Sequence, residues 1–569
     1  MAESQTVEDL KLRYDALKST TERSNAEAHW EEIAEVMDPA GRGFAGLMTP
    51  GSKRMDKVFD ATGIHSADLL TAGLHGTATN PATKWHRLNT PFPEANKDSN
   101  VRKWLEGSTD VLFQRRYSPG TKFTSALNEV FDSAGRYGTG ILYITQRRNG
   151  RNLYECRSLS ECVIAENDEG DIDTLMRSFS WTARQCVMEW GGKCSDWVRQ
   201  QVESKKGTAP VEIIHAVCPR NDRDPTKIDA SNKPWRSVYF ERKTGQLLEE
   251  SGYDEFPYAV FRWSRRPGEV YGRGPASVAL PDVKMLQAAQ LTTIKAAQKL
   301  TDPPLFLPDD GFMAPIRTVP GGLNFYRGNR EIFPMPTADK LPVTLEWMEE
   351  IRNRIRQTFY TDILQFVSDK DMTATEVQQR TAERMRLMGP VLGRLEDFLG
   401  KVIEVETAIA KRAGLMPPLP EELSNNSQLV PPNVDIDINV EYVGPIFQAQ
   451  RAADASGFGQ MLQYAMPLLQ SDPTMFGDVY SGPRTIKWLG RIFQVPAEIE
   501  ITDDERAKMD QQKAAMMSAQ AAGPMADAAN KGAGAVKQLA DAQAGGGVDL
   551  GALVQEMVKQ NGGGMPNAA

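Results

Sequence analysis

The chain has 569 residues, with 66 Lys and Arg against 75 Asp and Glu and a formal net charge of −9. That length exceeds one ordinary core and predicts two to four structural units. The acidic balance excludes a generally basic nucleic-acid binder, so any phosphate contact must be local or weak.

Residues 1–38 read as helix, with Trp30, Ile33, Val36 and Met37 on a late apolar face and Asp38-Pro39 as its stop. A Gly-rich loop follows around Gly41 to Gly51. A helix from about Asp60 carries Ile64, Leu70 and Leu74 and breaks at Asn80-Pro81, and Trp85 and Leu88 mark a short strand. Two more helices are expected, about Asn100 to Tyr117 and Thr124 to Arg136. Gly138-Thr139-Gly140 opens a strand from Ile141 to Thr145, and from there to Trp263 the pattern is mostly β. Candidate strands are Glu161 to Ala165, Asp173 to Trp181, Val211 to Val217, Ser237 to Arg242 and Tyr258 to Trp263. One helix, Ala183 to Trp190, stands behind a Thr182-x-x-Gln185 capping box. The first unit is therefore mixed α+β.

The stretch from Gly268 to Glu376 reads as two helices flanking a proline-rich excursion. The first helix is expected to start near Pro281-Asp282, with Asp282 as N-cap, and to stop before Asp302-Pro303-Pro304. Val283, Leu286, Ile294, Ala297 and Leu300 share one arc, and Lys284, Lys295 and Lys299 share another. In the excursion, Asp302 to Pro342, short apolar runs at Leu305 to Leu307 and Leu323 to Tyr326 predict a small β-rich unit. The second helix, about Thr344 to Leu364, carries Leu345, Met348, Ile351, Ile355, Phe359 and Ile363, with Glu350 and Arg354 as an i,i+4 pair. Beyond a polar loop, Ser368 to Asp371, a Thr373-x-x-Glu376 box caps the longest helical pattern, which runs to Arg412 and is kinked at Gly389-Pro390. A strand, Val434 to Tyr442, and helices around Gln448 to Leu469 and Gly482 to Phe493 complete the patterned chain. From about Asp503 the composition of Ala, Gly, Gln and Met fits either a frayed helix or a disordered tail.

Few residues offer chemistry. Gly46-x-x-x-x-Gly51-Ser52-Lys53 has its lysine and hydroxyl in the wrong order for a phosphate loop, and Tyr271 to Pro275 reads as a tight turn feeding a helix. Asp435, Asp437 and Glu441 alternate with apolar residues on one strand face. A two-metal nuclease could use such a face, but a solvated strand edge is the plainer reading. The five histidines show no metal-ligand spacing, and there is no nucleophile elbow. Cys156, Cys162, Cys186, Cys194 and Cys218 form no C-x-x-C pair, so buried reduced thiols are expected. No enzyme, metal or cofactor signature emerges. No run approaches the ~20 apolar residues of a membrane span, and the polar N-terminus is not a signal peptide, which predicts folding in a cytoplasm. The lysine stripe is either a solvated helix face or one that meets phosphates or a neighbour's carboxylates.

Several motifs, in this order, resemble the podovirus-type portal, or head-to-tail connector, of tailed bacteriophages. They are Asp60 to Ile64 through Asn80-Pro81 with Trp85, Tyr137 to Gly140, Gly268 to Pro275, Leu280 to Leu286, Asp302 to Pro304, Pro308 to Gly311, Pro320 to Leu323, Met372 to Val377 and Gly389 to Arg394. The resemblance spans roughly residues 10 to 450. It implies an α+β portal fold with a wing at 1–267, a first stem helix at 268–301, a clip at 302–342 and a second stem helix at 343–366. A channel loop, long kinked helix and wing return strand would occupy 367–446, crown helices 447–502, and a low-complexity tail 503–569. It further implies a non-enzymatic ring, dodecameric, at one capsid vertex of the virion, assembled in the host cytoplasm. Its partners would be capsid and scaffold proteins, the terminase motor, tail adaptor and nozzle proteins, and double-stranded DNA in the channel, with no membrane. Lys284, Lys295, Lys299 and Lys370 are then the candidate DNA-channel residues, and the clip would carry the adaptor and terminase contacts. The alternative is a metal-dependent nuclease or other packaging enzyme using Asp435, Asp437 and Glu441.

Overall fold

The computed structural model describes residues 2–39, 41, 43–44, 55–147, 149–221, 223–224, 226–227, 229–308, 317–326, 333–334, 341–364, 389–420, 423, 439–442, 457–467, 479–492, 508–509 and 511–514. The chain divides into two compact units, Met1–Lys97 with Val101–Val495, and Asp98–Asn100 with Pro496–Ala569. Past 496, the described residues of the second unit are short helical runs at 508–509 and 511–514.

Two helices open the chain where one was expected. Helix α1 (Ala2–Lys18) stops and α2 (Thr21–Met37) restarts because the Thr20 hydroxyl accepts the Arg23 N–H at 3.3 Å. A threonine with ψ of 144° satisfies an orphan donor there instead of continuing the helix. Helix α3 (Thr62–Ala78), strand β1 (His86–Asn89), and helices α4 (Ser99–Arg116) and α5 (Phe123–Tyr137) follow close to expectation.

Strand β2 (Thr139–Gln146) lies between β3 (Asn152–Arg157) and β9 (Tyr258–Arg262) in an antiparallel sheet. Strands β4 (Cys162–Glu166), β5 (Ile172–Thr182), β6 (Pro210–Pro219), β7 (Trp235–Glu241) and β8 (Leu247–Tyr253) form an antiparallel meander in sequence order. Strict alternation sorts its faces. Met176, Ile214, Ala216, Val238 and Phe240 turn to one face and pack with Val7, Leu10 and Tyr14 of α1. On the other face Leu175 and Val217 join the main core. Phe179, Val211 and Ile213 there pack with α6 (Ala183–Trp190) and α7 (Asp196–Glu203). Helix α6 enters through the expected capping box, with both reciprocal bonds of Thr182 and Gln185 present.

Strands β3 and β8 and helix α7 have no counterpart in the sequence reading. β3 turns Asn152 and Tyr154 inward, and β8 contains Glu249, Glu250, Ser251 and Gly252, so neither shows apolar alternation. α7 has only eight residues, too few for a periodic signal.

Helix α8 runs Pro275–Thr301, so its start is corrected. Gly274 is the N-cap, Pro275 occupies the first turn where a missing N–H costs nothing, and Asp282 is no cap. Pro281 lies inside the helix and forfeits one backbone bond, while burial of its neighbours Leu280 and Val283 holds that turn in place. The excursion contains a small sheet in which β10 (Leu305–Pro308) pairs parallel with β11 (Leu323–Tyr326) and antiparallel with β12 (Phe333–Pro334). The second helix is not continuous: α9 (Leu341–Thr358) and α10 (Thr361–Leu364) are separated by Tyr360 at φ +56°. The expected Glu350–Arg354 pair is replaced by an ion pair across helices, Arg354 to Asp282 at 3.3 Å.

Helix α11 is described over Gly389–Arg412, and the expected span before the Gly389-Pro390 step lies outside the described residues. The Ser368 to Asp371 loop and the Thr373–Glu376 box lie outside the described residues. Strand β13 (Asn439–Tyr442) pairs antiparallel with β1. A helical run at 457–467 and helix α12 (Gly482–Ile492) fall within expected spans. One main core joins α2, α3, α4, α5, β2, β9, the first half of α8, α9 and α11. All five cysteines are free thiols, as expected. Burial pushes the Cys156, Cys162 and Cys186 thiols up to about 12.

Candidate functional site

The α8–α9 pair carries the residues singled out in the sequence, and its base is built from glycine. Two motifs far apart in sequence, Tyr137 to Gly140 and Gly268 to Pro275, meet here backbone to backbone. A Cβ on Gly138, which also has φ +83°, would fall inside contact distance of the Gly272 carbonyl oxygen, and the converse holds for Gly272. The Gly272 N–H donates to the Thr139 hydroxyl at 2.9 Å and the Arg273 N–H to the Ser264 carbonyl at 2.8 Å. A Cβ on Gly274 would lie 2.6 Å from the Gly135 carbonyl oxygen. The start of α8 is thereby pressed against the end of α5.

A polar staple holds the next turns. The Gln287 side-chain oxygen accepts the Phe59 and Asp60 N–H groups at 2.6 and 2.8 Å, and its amide donates to the Asp60 carbonyl at 2.7 Å. The Asp60 carboxylate accepts the Thr62 N–H at 2.8 Å and two bonds from Arg352 of α9, at 3.0 and 2.8 Å. Burial opposes the Asp60 charge, yet these donors outweigh it and hold its carboxyl below the usual range. One aspartate thus ties the segment before α3 to both long helices. Met348, Ile351 and Ile355 of α9 and Phe359 just beyond it are fully buried, and the Thr293 hydroxyl meets the Met348 sulfur at 3.9 Å.

Beyond Gln287 no residue of α8 is buried. Leu300 is 44% exposed, and Leu345 and Trp347 at the start of α9 are 49% and 42% exposed. Of the lysines, Lys284 is ion-paired at 2.7 Å to Glu32 of α2. That hydrogen bond lowers the Glu32 carboxyl from its ordinary value. Lys295 is exposed and Lys299 half-buried, both on the far half of α8, and among the described residues neither meets a carboxylate. Lys370 lies outside the described residues. The structure therefore brings Lys295 and Lys299 together and separates Lys284 from them.

The acidic strand is represented by Glu441 alone, because Asp435 and Asp437 lie outside the described residues. Glu441 stands opposite Arg87 in the β1–β13 pair and accepts the Asn89 amide at 2.7 Å.

Two buried ionic hubs were not legible in advance. Arg116, at the end of α4, and Glu406, in the middle of α11, are 0% and 1% exposed as side chains. Arg116 Nε donates to both Glu406 oxygens at 3.0 and 3.1 Å, Tyr154 donates to Glu406 at 2.6 Å, and the guanidinium lies 4.6 Å over the Trp85 ring. Burial works against the Arg116 cation, and the Glu406 carboxylate overcomes it. Burial and the Arg116 charge push neighbouring His86 well down, so it is neutral. In the second hub Arg136 is shared by Asp38, Asp68 and Asp132. Burial, more than the other two carboxylates, raises Asp132 to about 6 against the pull of Arg136.

The described residues form a mixed helix and sheet fold in which the paired helices α8 and α9 pack on the main core. The chain matches the family described as bacteriophage head to tail connecting protein over residues 7–500, and it belongs to that family. It is 34% identical to the probable portal protein of Bordetella phage BPP-1 over 464 residues, 79% of this chain and 81% of the relative. It is 28% identical to the portal protein of Salmonella phage epsilon15 over 525 residues, 88% of this chain and 91% of the relative. A solved structure, the neck of a native GTA particle computed with C12 symmetry, covers 71% of this chain and 88% of its own at 11% identity. Its TM-score is 0.34, a likeness too weak to carry an argument. The protein serves as a portal connecting phage head and tail, at the head–tail junction of the virion. It is structural and not an enzyme, which removes the nuclease reading of Asp435, Asp437 and Glu441.

Proposed function

We propose that this portal is a closed ring of identical subunits, twelve in number, at one capsid vertex, with double-stranded DNA passing along its axis during packaging and ejection. The observation that carries the reading is the change along α8. Its first half carries buried residues up to Gln287, and beyond that none is buried, with Leu300 of α8 and Leu345 and Trp347 of α9 exposed. A heterologous ring gives every subunit two neighbours, and those neighbours would cover such apolar surface.

In this assignment residues 1–267 are the wing, α8 and α9 the stem, the sheet of β10, β11 and β12 the core of the clip, and 447–502 the crown. Lys295 and Lys299 face the channel, joined by Lys370 on the loop that follows α10. Lys284 belongs to the wing contact through Glu32, although its stem position is retained. Sparse lysines on an acidic chain suit a conduit, since each strong phosphate contact would slow passage. The clip, 302–342, binds the terminase during packaging and the adaptor and nozzle proteins afterwards. The wing and crown meet capsid and scaffold proteins, and assembly takes place in the host cytoplasm.

Electron microscopy and mass measurement of the purified particle test the ring directly. A monodisperse annulus of twelve chains with an axial opening is expected, and a stable monomer would end the proposal. Deletion of 309–335 is expected to abolish adaptor and terminase binding while the ring still forms.

A further inference from the structure

We infer that Tyr360 is a two-state joint, and that the segment 341–364 exchanges between the broken pair α9–α10 and one continuous helix. The sequence encodes the continuous form. Met348, Ile351, Ile355, Phe359 and Ile363 keep one helical phase through the break, and 359–364 contains neither glycine nor proline. The structure instead puts Tyr360 at φ +56°, one of three non-glycine residues with positive φ among the described residues. For an L-residue with a bulky side chain that region is disfavoured by roughly tenfold in population. A helix C-terminus in this geometry ordinarily takes glycine.

Local bonds hold the break. The Tyr360 N–H donates to the Gln357 carbonyl and the Ile363 N–H to the Tyr360 carbonyl, each at 3.0 Å. The Thr361 hydroxyl, on a residue 1% exposed, donates to the Arg356 carbonyl at 2.9 Å and satisfies an acceptor that the broken helix would orphan. Asp362 then supplies the acidic first turn of α10. These bonds are the counterweight to the strained backbone, and they are all made by residues within one turn of the joint.

There is also room to move. Beside the break lies an open pocket of about 500 Å³, lined by Phe59, His65, Leu69, Arg356, Thr361 and Asp362. Phe59 and Leu69 on its wall are each 37% exposed, whereas on the other side Tyr360 and Ile363 pack against the main core. Upstream, α9 is fixed by three fully buried apolar residues and by the Arg352–Asp60 bonds. The rigid part ends at Phe359 and the joint follows at once. Its setting decides the direction in which the chain leaves α10 towards residue 365. The inference rests on backbone geometry and sequence phase, independently of what passes through the ring.

Two substitutions in the full-length assembled protein test it. Tyr360→Gly relieves the strain and favours the break, whereas Tyr360→Ala keeps the strain and favours helix. Hydrogen exchange of the 359–364 amides is the readout, with the melting temperature alongside. Exchange is expected to slow roughly tenfold in Tyr360→Ala relative to Tyr360→Gly, because a continuous helix gives the Thr361 and Asp362 amides i−4 acceptors. If Tyr360→Ala exchanges at the parent rate or faster and melts lower, Tyr360 is a fixed helix cap and the two-state joint is refuted. A structure of Tyr360→Ala with φ of residue 360 still positive would refute it equally.

Discussion

The two halves of α8 obey different rules although they are one helix. The base, Pro275 to Gln287, is defined by its own subunit, with glycines of two motifs in backbone contact, apolar residues buried, and Gln287 and Asp60 fully hydrogen-bonded. The far half has no fully buried residue, meets its own chain through contacts such as Thr293 with Met348 of α9, and carries Lys295 and Lys299. A single sequence pattern thus serves two environments. An apolar arc closes a core at one end, and at the other it leaves Leu300 44% exposed.

The sharpest way to break this comparison is to attack the core that supports the base. Glu406→Ala leaves Arg116 buried without its carboxylate and is expected to cost about 3–5 kcal/mol. The loss should appear as a large fall in melting temperature and soluble yield. The double change Arg116→Met with Glu406→Leu should restore much of it, because the isolated charge is gone. If Glu406→Ala melts like the parent, the hub does not anchor α11.

Next in size is the glycine contact. Gly138→Ala places a Cβ against the Gly272 carbonyl in a backbone conformation that L-residues avoid, so a loss on the order of 1–3 kcal/mol is expected. Urea unfolding would measure it. An equal change at Gly76, where an added Cβ meets nothing, should be close to neutral. Similar losses at both sites would mean that the motif glycines have no packing role.

Much of this was readable beforehand, for stated reasons. The tight turn at Tyr271 to Pro275, the Thr182 box and the buried thiols each depend on chemistry within a few residues. The Arg116 hub depends on Arg116 and Glu406, separated by 290 positions, which no local pattern connects. One clue was present: Glu406 sits among Val402, Val405 and Ile409, a charge on an apolar stripe. The start of α8 was misplaced because Pro281-Asp282 imitates a cap, and the break at Tyr360 was missed because the apolar phase runs straight through it. β3 faces the core with Asn152 and Tyr154, which serve the Arg116 hub, so its alternation is polar.

The pH response separates the two carboxylate environments. Asp132 titrates at about 6 in the folded chain against 3.8 when unperturbed, so between these values the folded state holds a proton that the unfolded state has lost. Its contribution to stability therefore grows as pH falls from 7 towards 4. Asp60 is shifted the other way, and its contribution is present above its ordinary value and lost as pH falls through the lower folded one. The melting temperature should rise on mild acidification from pH 7 to 5, and Asp132→Asn should flatten that rise while leaving the acid limb intact. A slope unchanged by Asp132→Asn would remove Asp132 as its source.

The smallest effect is expected where the functional claim is strongest. Lys295→Gln and Lys299→Gln remove exposed or half-exposed charges that meet no carboxylate among the described residues, so stability should change by less than about 0.5 kcal/mol. Lys284→Gln breaks an exposed ion pair with Glu32 and should also be nearly neutral, within about 1 kcal/mol. The three separate only in the assembled ring with DNA present. There the far-half lysines should each reduce the salt dependence of DNA retention by roughly one phosphate contact, while Lys284 should leave it unchanged. If Lys284 altered that slope and Lys295 did not, the base of α8 rather than its far half would meet the DNA. The division between a self-contained base and an outward-facing far half would then have to be redrawn around the Glu32 contact.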